Sequence, residues 1–186
     1  MSNPIRTYSD EQLISAIRAG SADSESCFAE LYARYSRRVF LYCCRILEQR
    51  NVAEDVLQEC FVEFLLYTRQ TPIITNTSAL LLRIARNLCL NIKRANKLLT
   101  IPIEDIEFPD YMPEYHTEEQ AGLIAAALDI LPDDYREAIV LQLYNGLSYQ
   151  EIAELTEVPV STVRNRIVRA KKRLREILQA SGDYYR

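Results

Sequence analysis

The chain has no tryptophan, one histidine and only four glycines in 186 residues. No glycine-rich stretch of the kind that cradles phosphates is present, which sets aside the common nucleotide-binding loops. A lone His116 leaves little acid–base chemistry near neutral pH, and no nucleophile–base pair stands out. The five cysteines (Cys27, Cys43, Cys44, Cys60 and Cys89) lack paired metal-ligand spacing and sit in apolar helical patterns, so they read as small buried hydrophobes in a reducing compartment rather than as a zinc site. An enzyme is therefore the least supported reading, and neither a cofactor nor a metal is expected. No apolar run reaches membrane length and no signal peptide is visible, which predicts a soluble, cytoplasmic protein without membrane insertion. Scarce glycine and long periodic segments predict an all-α fold.

Two further absences concern charge. From Leu98 to Asp134 there is no Lys or Arg, and between Pro159 and Glu176 there is no acid. The formal net charge of −4 therefore hides a segregation. Residues 1–97 hold 13 basic and 10 acidic groups, residues 98–117 none and 5, and residues 118–186 hold 9 and 11. Residues 98–117 also lack a helical period, so they read as an acidic tether between two small helical domains, 1–97 and 118–186.

The stretch without acids is the most informative. Ser148 with Glu151 makes a capping box, which predicts a short helix from Tyr149 that buries Ile152, Ala153 and Leu155 and stops at Val158-Pro159. A second helix is expected from about Ser161, with Val163, Ile167, Ala170, Leu174 and Ile177 as its apolar seam. Opposite that seam stand Arg164, Arg166, Arg169, Lys171, Lys172, Arg173 and Arg175. A solvated helix face normally mixes both signs, whereas this run of cations repels itself unless a polyanion meets it. A helix-turn-helix with so basic a second helix fits a DNA major groove.

Ahead of it, Ser9 with Gln12 predicts a capped helix over Asp10–Ala19, closed by Gly20. A long helix is expected over 26–47, with Phe28, Leu31, Tyr32, Tyr35, Val39, Tyr42 and Ile46 on one side. Asn51 with Glu54 predicts the start of a third, burying Val56, Leu57, Cys60, Phe61 and Phe64 while Glu54, Asp55, Gln58, Glu59 and Glu63 face out. The fourth, from Ser78, buries Leu81, Ile84, Ala85, Leu88 and Ile92 and carries Arg83, Arg86, Lys93, Arg94 and Lys97 on a second basic surface that includes Asn87 and Asn91. Thr117 with Gln120 predicts another helix to about Ile130, and Leu131-Pro132-Asp133 starts one that Asn145-Gly146 ends. The tail after Ala180 is expected to fray.

Three blocks resemble the extracytoplasmic-function (ECF) sigma factors, two-domain promoter-specificity subunits of bacterial RNA polymerase. AEDVLQECFVEF (Ala53–Phe64) is similar to the family's polymerase-binding helix, and LLLRIARNLCLN (Leu80–Asn91) to its segment for the minus-ten promoter element. Leu131–Leu178 is similar to its domain for the minus-thirty-five element. The resemblance implies that Asp55, Gln58 and Glu59 face the coiled coil of the polymerase's largest subunit. It implies that Asn87 lies at a pocket for a flipped base, with Arg86, Lys93 and Arg94 near the strand's backbone. On the last helix it implies base contacts from Arg164, Asn165, Val168 and Arg169, and phosphate contacts from Ser161, Thr162, Arg166 and Lys171. Core RNA polymerase and promoter DNA are the implied partners, and an anti-sigma factor is compatible with the family. The chain departs from the family's usual Trp near Leu81, its frequent Asp at Asn91, and its Ser or Lys around Asn165.

The competing function is a dimeric repressor whose first 130 residues sense a ligand and dimerise. That needs a dimer interface for two half-sites, and no extra apolar stripe is evident in the sequence.

Overall fold

The computed structural model describes residues 4–71, 73–96 and 118–182. The acidic tether, the Thr117 cap and residues 183–186 lie outside them.

Reciprocal capping fixes two helix starts. In α1 (Asp10–Ala19) the Ser9 hydroxyl accepts from the Gln12 amide at 3.3 Å, and the Gln12 side chain accepts from the Ser9 amide at 2.8 Å. Gly20 then turns left-handed at φ 60°, donating its N–H back to α1. Helix α2 (Ser24–Leu47) ends on Glu48 and α7 (Tyr149–Thr156) on Glu157, both left-handed without being glycine. The Asn51 cap does not form. Helix α3 (Arg50–Gln70) starts two residues earlier, with extended Gln49 at the N-cap position, so Asn51 already lies in the first turn where its side chain cannot cap. Glu54 pairs with Arg50 instead, at 3.0 Å. Helix α4 (Thr77–Asn96) is capped by Asn76, whose side chain accepts from the Ala79 amide at 2.9 Å. Helices α5 (Glu118–Asp129) and α6 (Asp133–Leu143) follow. Helix α8 (Val160–Gly182) also starts early: the Pro159 carbonyl accepts from the Thr162 and Val163 amides, which leaves Ser161 inside the first turn.

The first four helices pack α2 against α1, α3 and α4, around fully buried Leu31, Tyr42, Phe64 and Leu81. Phe61 meets Phe28 edge-on at 6.0 Å between ring centroids, which orients α2 on α3. Tyr32, expected on the inner side, stays more than a third exposed and only leans on Phe61. Leu81 and Leu82 fill the region where the resembling family carries Trp, and the Cys60 thiol donates to the Leu81 carbonyl at 3.4 Å.

In the C-terminal four helices, Val163, Ile167 and Ala170 of α8 are buried among α6, α7 and α5, while Leu174 and Ile177 are half-buried. Burying a side chain such as Ile167 contributes about 1.5–3 kcal/mol. The two groups of helices also pack on each other. One contiguous apolar cluster runs from Ile5 to Ala170, with α6 against α2 and α7 against α4.

Candidate nucleic-acid interface

The helix-turn-helix is built as its sequence dictates. Ser148 accepts from the Glu151 amide at 3.2 Å, and Glu151 accepts from the Ser148 amide at 2.8 Å. Those hydrogen bonds hold the Glu151 carboxyl below its ordinary range. Glu157 then bends the chain and donates its N–H to the Ala153 carbonyl, and Pro159 leads directly into α8.

With Val163, Ile167 and Ala170 turned inward, the opposite face of α8 is fixed by the helical period. Ser161, Arg164, Asn165, Val168, Arg169 and Lys171 are exposed, and Thr162 and Arg166 are half-buried. Val168 is 58% exposed between cations, an apolar surface that suits a thymine methyl in a major groove. Two of the arginines are oriented by α6. Arg166 donates to the Asp134 carboxylate, and Arg169 donates through Nη1 to the Tyr135 hydroxyl at 3.3 Å. Neither Asp134 nor Tyr135 was singled out from the sequence, where each is one more residue of an acidic first turn.

On α4 the basic surface divides in two. Arg83, Asn87, Asn91 and Arg94 are exposed at steps of four, four and three, which places them on one outward face. Arg86 and Lys93 lie on the adjacent face and point at α6. Arg86 donates to Glu137 at 2.9 Å through Nε and at 3.4 Å through Nη2. Lys93 donates to Asp133 at 2.6 Å. The same Glu137 oxygen that takes Arg86 Nε also accepts from the Tyr42 hydroxyl at 2.9 Å. Burial, followed by the charge of Glu137, pushes the Tyr42 phenol well above its ordinary value, so it remains a donor.

A third surface runs along α3. Glu54, Asp55, Gln58, Glu59 and Glu63 are all exposed, as expected. Val62 and Leu66 are exposed by 57% and 51%, and share a helical face with Asp55 and Glu59. The spacing 55, 59, 62, 66 was available in the sequence, but an apolar pair reads as core until its exposure is known.

The cysteines do not extend this chemistry. All five are free and buried. Cys43 is raised by its hydrogen bond with Cys89 and by burial, while burial lifts Cys44 to about 11 and Cys60 to about 12. Thiol redox chemistry runs through the thiolate, so the vicinal Cys43-Cys44 pair is poorly suited to it.

Residues 31–98 match the family model for "Sigma-70 region 2", and residues 121–174 that for "Sigma-70, region 4". The chain is 32% identical over 179 residues to the ECF RNA polymerase sigma factor SigE of Mycolicibacterium smegmatis, covering 91% of this chain and 69% of that protein. It is 30% identical over 181 residues to the ECF RNA polymerase sigma factor SigW of Bacillus subtilis, covering 89% and 95%. Among solved structures it is similar to CnrH in complex with the cytosolic domain of CnrY, with TM-score 0.68, 25% identity and coverage of 92% and 97%. The fold is also that of the sigma factor RpoE in its complex with the anti-sigma factor NepR from Bartonella quintana, with TM-score 0.70, 22% identity and coverage of 82% and 96%.

Proposed function

The chain belongs to the extracytoplasmic-function sigma factors of bacterial RNA polymerase, and from that membership we propose how its surfaces divide the work. It binds core RNA polymerase and directs promoter-specific initiation through sequence-specific DNA contacts. Catalysis stays with the polymerase, which also sets the working compartment as the cytoplasm. In this reading residues 1–97 hold polymerase and the minus-ten element, 98–117 join the two domains, and 118–186 read the minus-thirty-five element.

The observation that carries it is the outward face of α8, where exposed Arg164, Asn165, Val168 and Arg169 follow one another on a helix delivered by a capped turn. Arginine and asparagine can make bidentate contacts to guanine and adenine edges, and the flanking Ser161, Thr162, Arg166 and Lys171 suit phosphates. On α4 the exposed Asn87 is the candidate for a flipped base of the minus-ten strand, with Arg94 beside it. On α3, Asp55, Gln58 and Glu59 present acids and an amide to a basic groove of polymerase. An anti-sigma factor completes the partner set that family membership suggests.

Reconstitution with core polymerase tests this. Size exclusion should move the chain into the polymerase peak, and promoter selection by the holoenzyme should lose preference at single positions in Arg164→Ala and Arg169→Ala. A chain that elutes as a dimer, ignores polymerase and binds paired half-sites would be a repressor instead.

A further inference from the structure

The first turn of α6 touches the basic helix α8 at two adjacent residues. The Asp134 carboxylate accepts from Arg166 Nη2, and the Tyr135 hydroxyl accepts from Arg169 Nη1 at 3.3 Å. The partners lie 32 and 34 residues apart in the chain, so packing of α6 on α8 and not helical spacing brings them together. Both helices are held firmly at this point. Arg136, next along α6, donates to the Leu128, Asp129 and Leu131 carbonyls. On α8, Val163, Ile167 and Ala170 are buried. Arg166 keeps 20% of its side-chain surface exposed against 62% for Asp134. Its stem is therefore packed, while the carboxylate that holds its tip stands largely in solvent. Asp134 takes one of the guanidinium's five N–H donors, which leaves donors for a second acceptor.

Resting on the function proposed above, we infer that Asp134 is a positioning residue for promoter selection: it fixes Arg166 as a phosphate anchor that sets the register of α8 in the major groove. An arginine on a long flexible stem loses rotamer freedom when it binds, and a tip already held loses less. Arg166 stays paired with Asp134 and turns its remaining donors to a phosphate, one fork serving both acceptors. A phosphate contact carries no base information, but it fixes where the helix lies along the duplex. Arg166 follows Asn165 and stands one turn before Arg169, so its anchor point decides which base edges both of them reach. Loss of Asp134 should therefore relax preference at several positions together, whereas loss of a base contact relaxes one. An acid in a first turn also favours its own helix dipole, an effect that melting reads and base preference does not.

The test uses the full chain reconstituted with core polymerase and a promoter library randomised across the minus-thirty-five element, transcribed and then sequenced. Asp134→Ala should flatten base preference at several positions, by about fivefold at each, the low end of what one base contact contributes. Asp134→Asn keeps an acceptor oxygen in place and should select as wild type does. Arg166→Lys keeps the cation, but an ammonium cannot serve acid and phosphate in one planar fork. It should relax the same positions, and adding Asp134→Ala to it should cost nothing more, because the two act as one unit. Melting is followed in parallel. If Asp134→Ala unfolds, Arg166→Lys decides: relaxation at several positions supports the anchor, and a wild-type profile overturns it. In a folded Asp134→Ala, a wild-type profile or relaxation at a single position would overturn the inference, as would Asp134→Asn behaving like Asp134→Ala. A wild-type chain that is inert with core polymerase, or that selects nothing from the library, would instead remove the parent reading.

Discussion

The Arg136 guanidinium donates through Nε to the Leu128 carbonyl at 3.0 Å, one helix further back in the chain. Its Nη2 also reaches the Asp129 and Leu131 carbonyls, and its Nη1 the Glu48 carboxylate. A single side chain thus satisfies the open carbonyls at the end of α5 and ties α6 to α2.

Arg136 is only 4% exposed, so removing it takes the guanidinium from the Asp129 and Leu131 carbonyls and from the Glu48 carboxylate, and leaves the Leu128 carbonyl with the Leu131 amide alone. Arg136→Met should lower stability by about 3–5 kcal/mol, read from urea denaturation. Arg136→Lys should recover only part of that, because an ammonium cannot span the same fork of acceptors. Equal stability of Arg136→Met and wild type would show that water replaces the network.

Exposure of Asp55 and Glu59 on α3 separates binding from folding. Alanine at either should shift stability by less than about 0.5 kcal/mol, while association with core polymerase weakens. Val62→Ser and Leu66→Ser should weaken it further, since both share that face. A pull-down with core polymerase beside a thermal melt distinguishes the two effects. A lowered melting temperature for Asp55→Ala would make it a structural residue.

Tyr135 steadies Arg169 from the neighbouring helix. Tyr135→Phe keeps the ring and removes the acceptor, so the fold should persist. Base preference at the position read by Arg169 should relax, by less than in Arg169→Ala, where a roughly ten- to hundredfold loss is expected. Lys171→Ala should instead weaken all duplexes evenly. Competition binding with single-base variants of one duplex measures both; an unchanged profile for Tyr135→Phe would deny it a positioning role.

The capping box of α7 makes a prediction in pH. Ser148→Ala should cost about 1 kcal/mol. Glu151 has its folded-state pKa depressed from 4.5, so its contribution is present above that value and is lost as the pH falls through the lower folded value. The stability gap between wild type and Glu151→Ala should therefore be full at neutral pH and narrow on acidification below about 4.5. Melting both proteins across that range checks it; a gap that widens with acid would reverse the assignment.

The local chemistry of single helices is written in the sequence. Reciprocal caps at Ser9 and Ser148 depend on a side chain and an amide three residues apart, and both form as read. The inward face of α3 and the seam of α8 follow from the period alone, because each buried set lies on one side of one helix. The exposure of Arg164, Asn165, Val168 and Arg169 follows from the same rule. At α3 the reading failed: Asn51 resembles a cap, yet the helix begins at Arg50 with extended Gln49 at the N-cap position and no side-chain cap, and Glu54 turns to Arg50. On α4, tertiary packing decided which cations face solvent and which face an acid. Arg83 and Arg86 look equivalent in the sequence, but of the two Arg86 meets Glu137, while Lys93 meets Asp133, which Arg136 also approaches at 3.7 Å. Helical periodicity ranks residues around one axis, and it carries no information about the acid that another helix brings to that axis from 40 or 51 residues away.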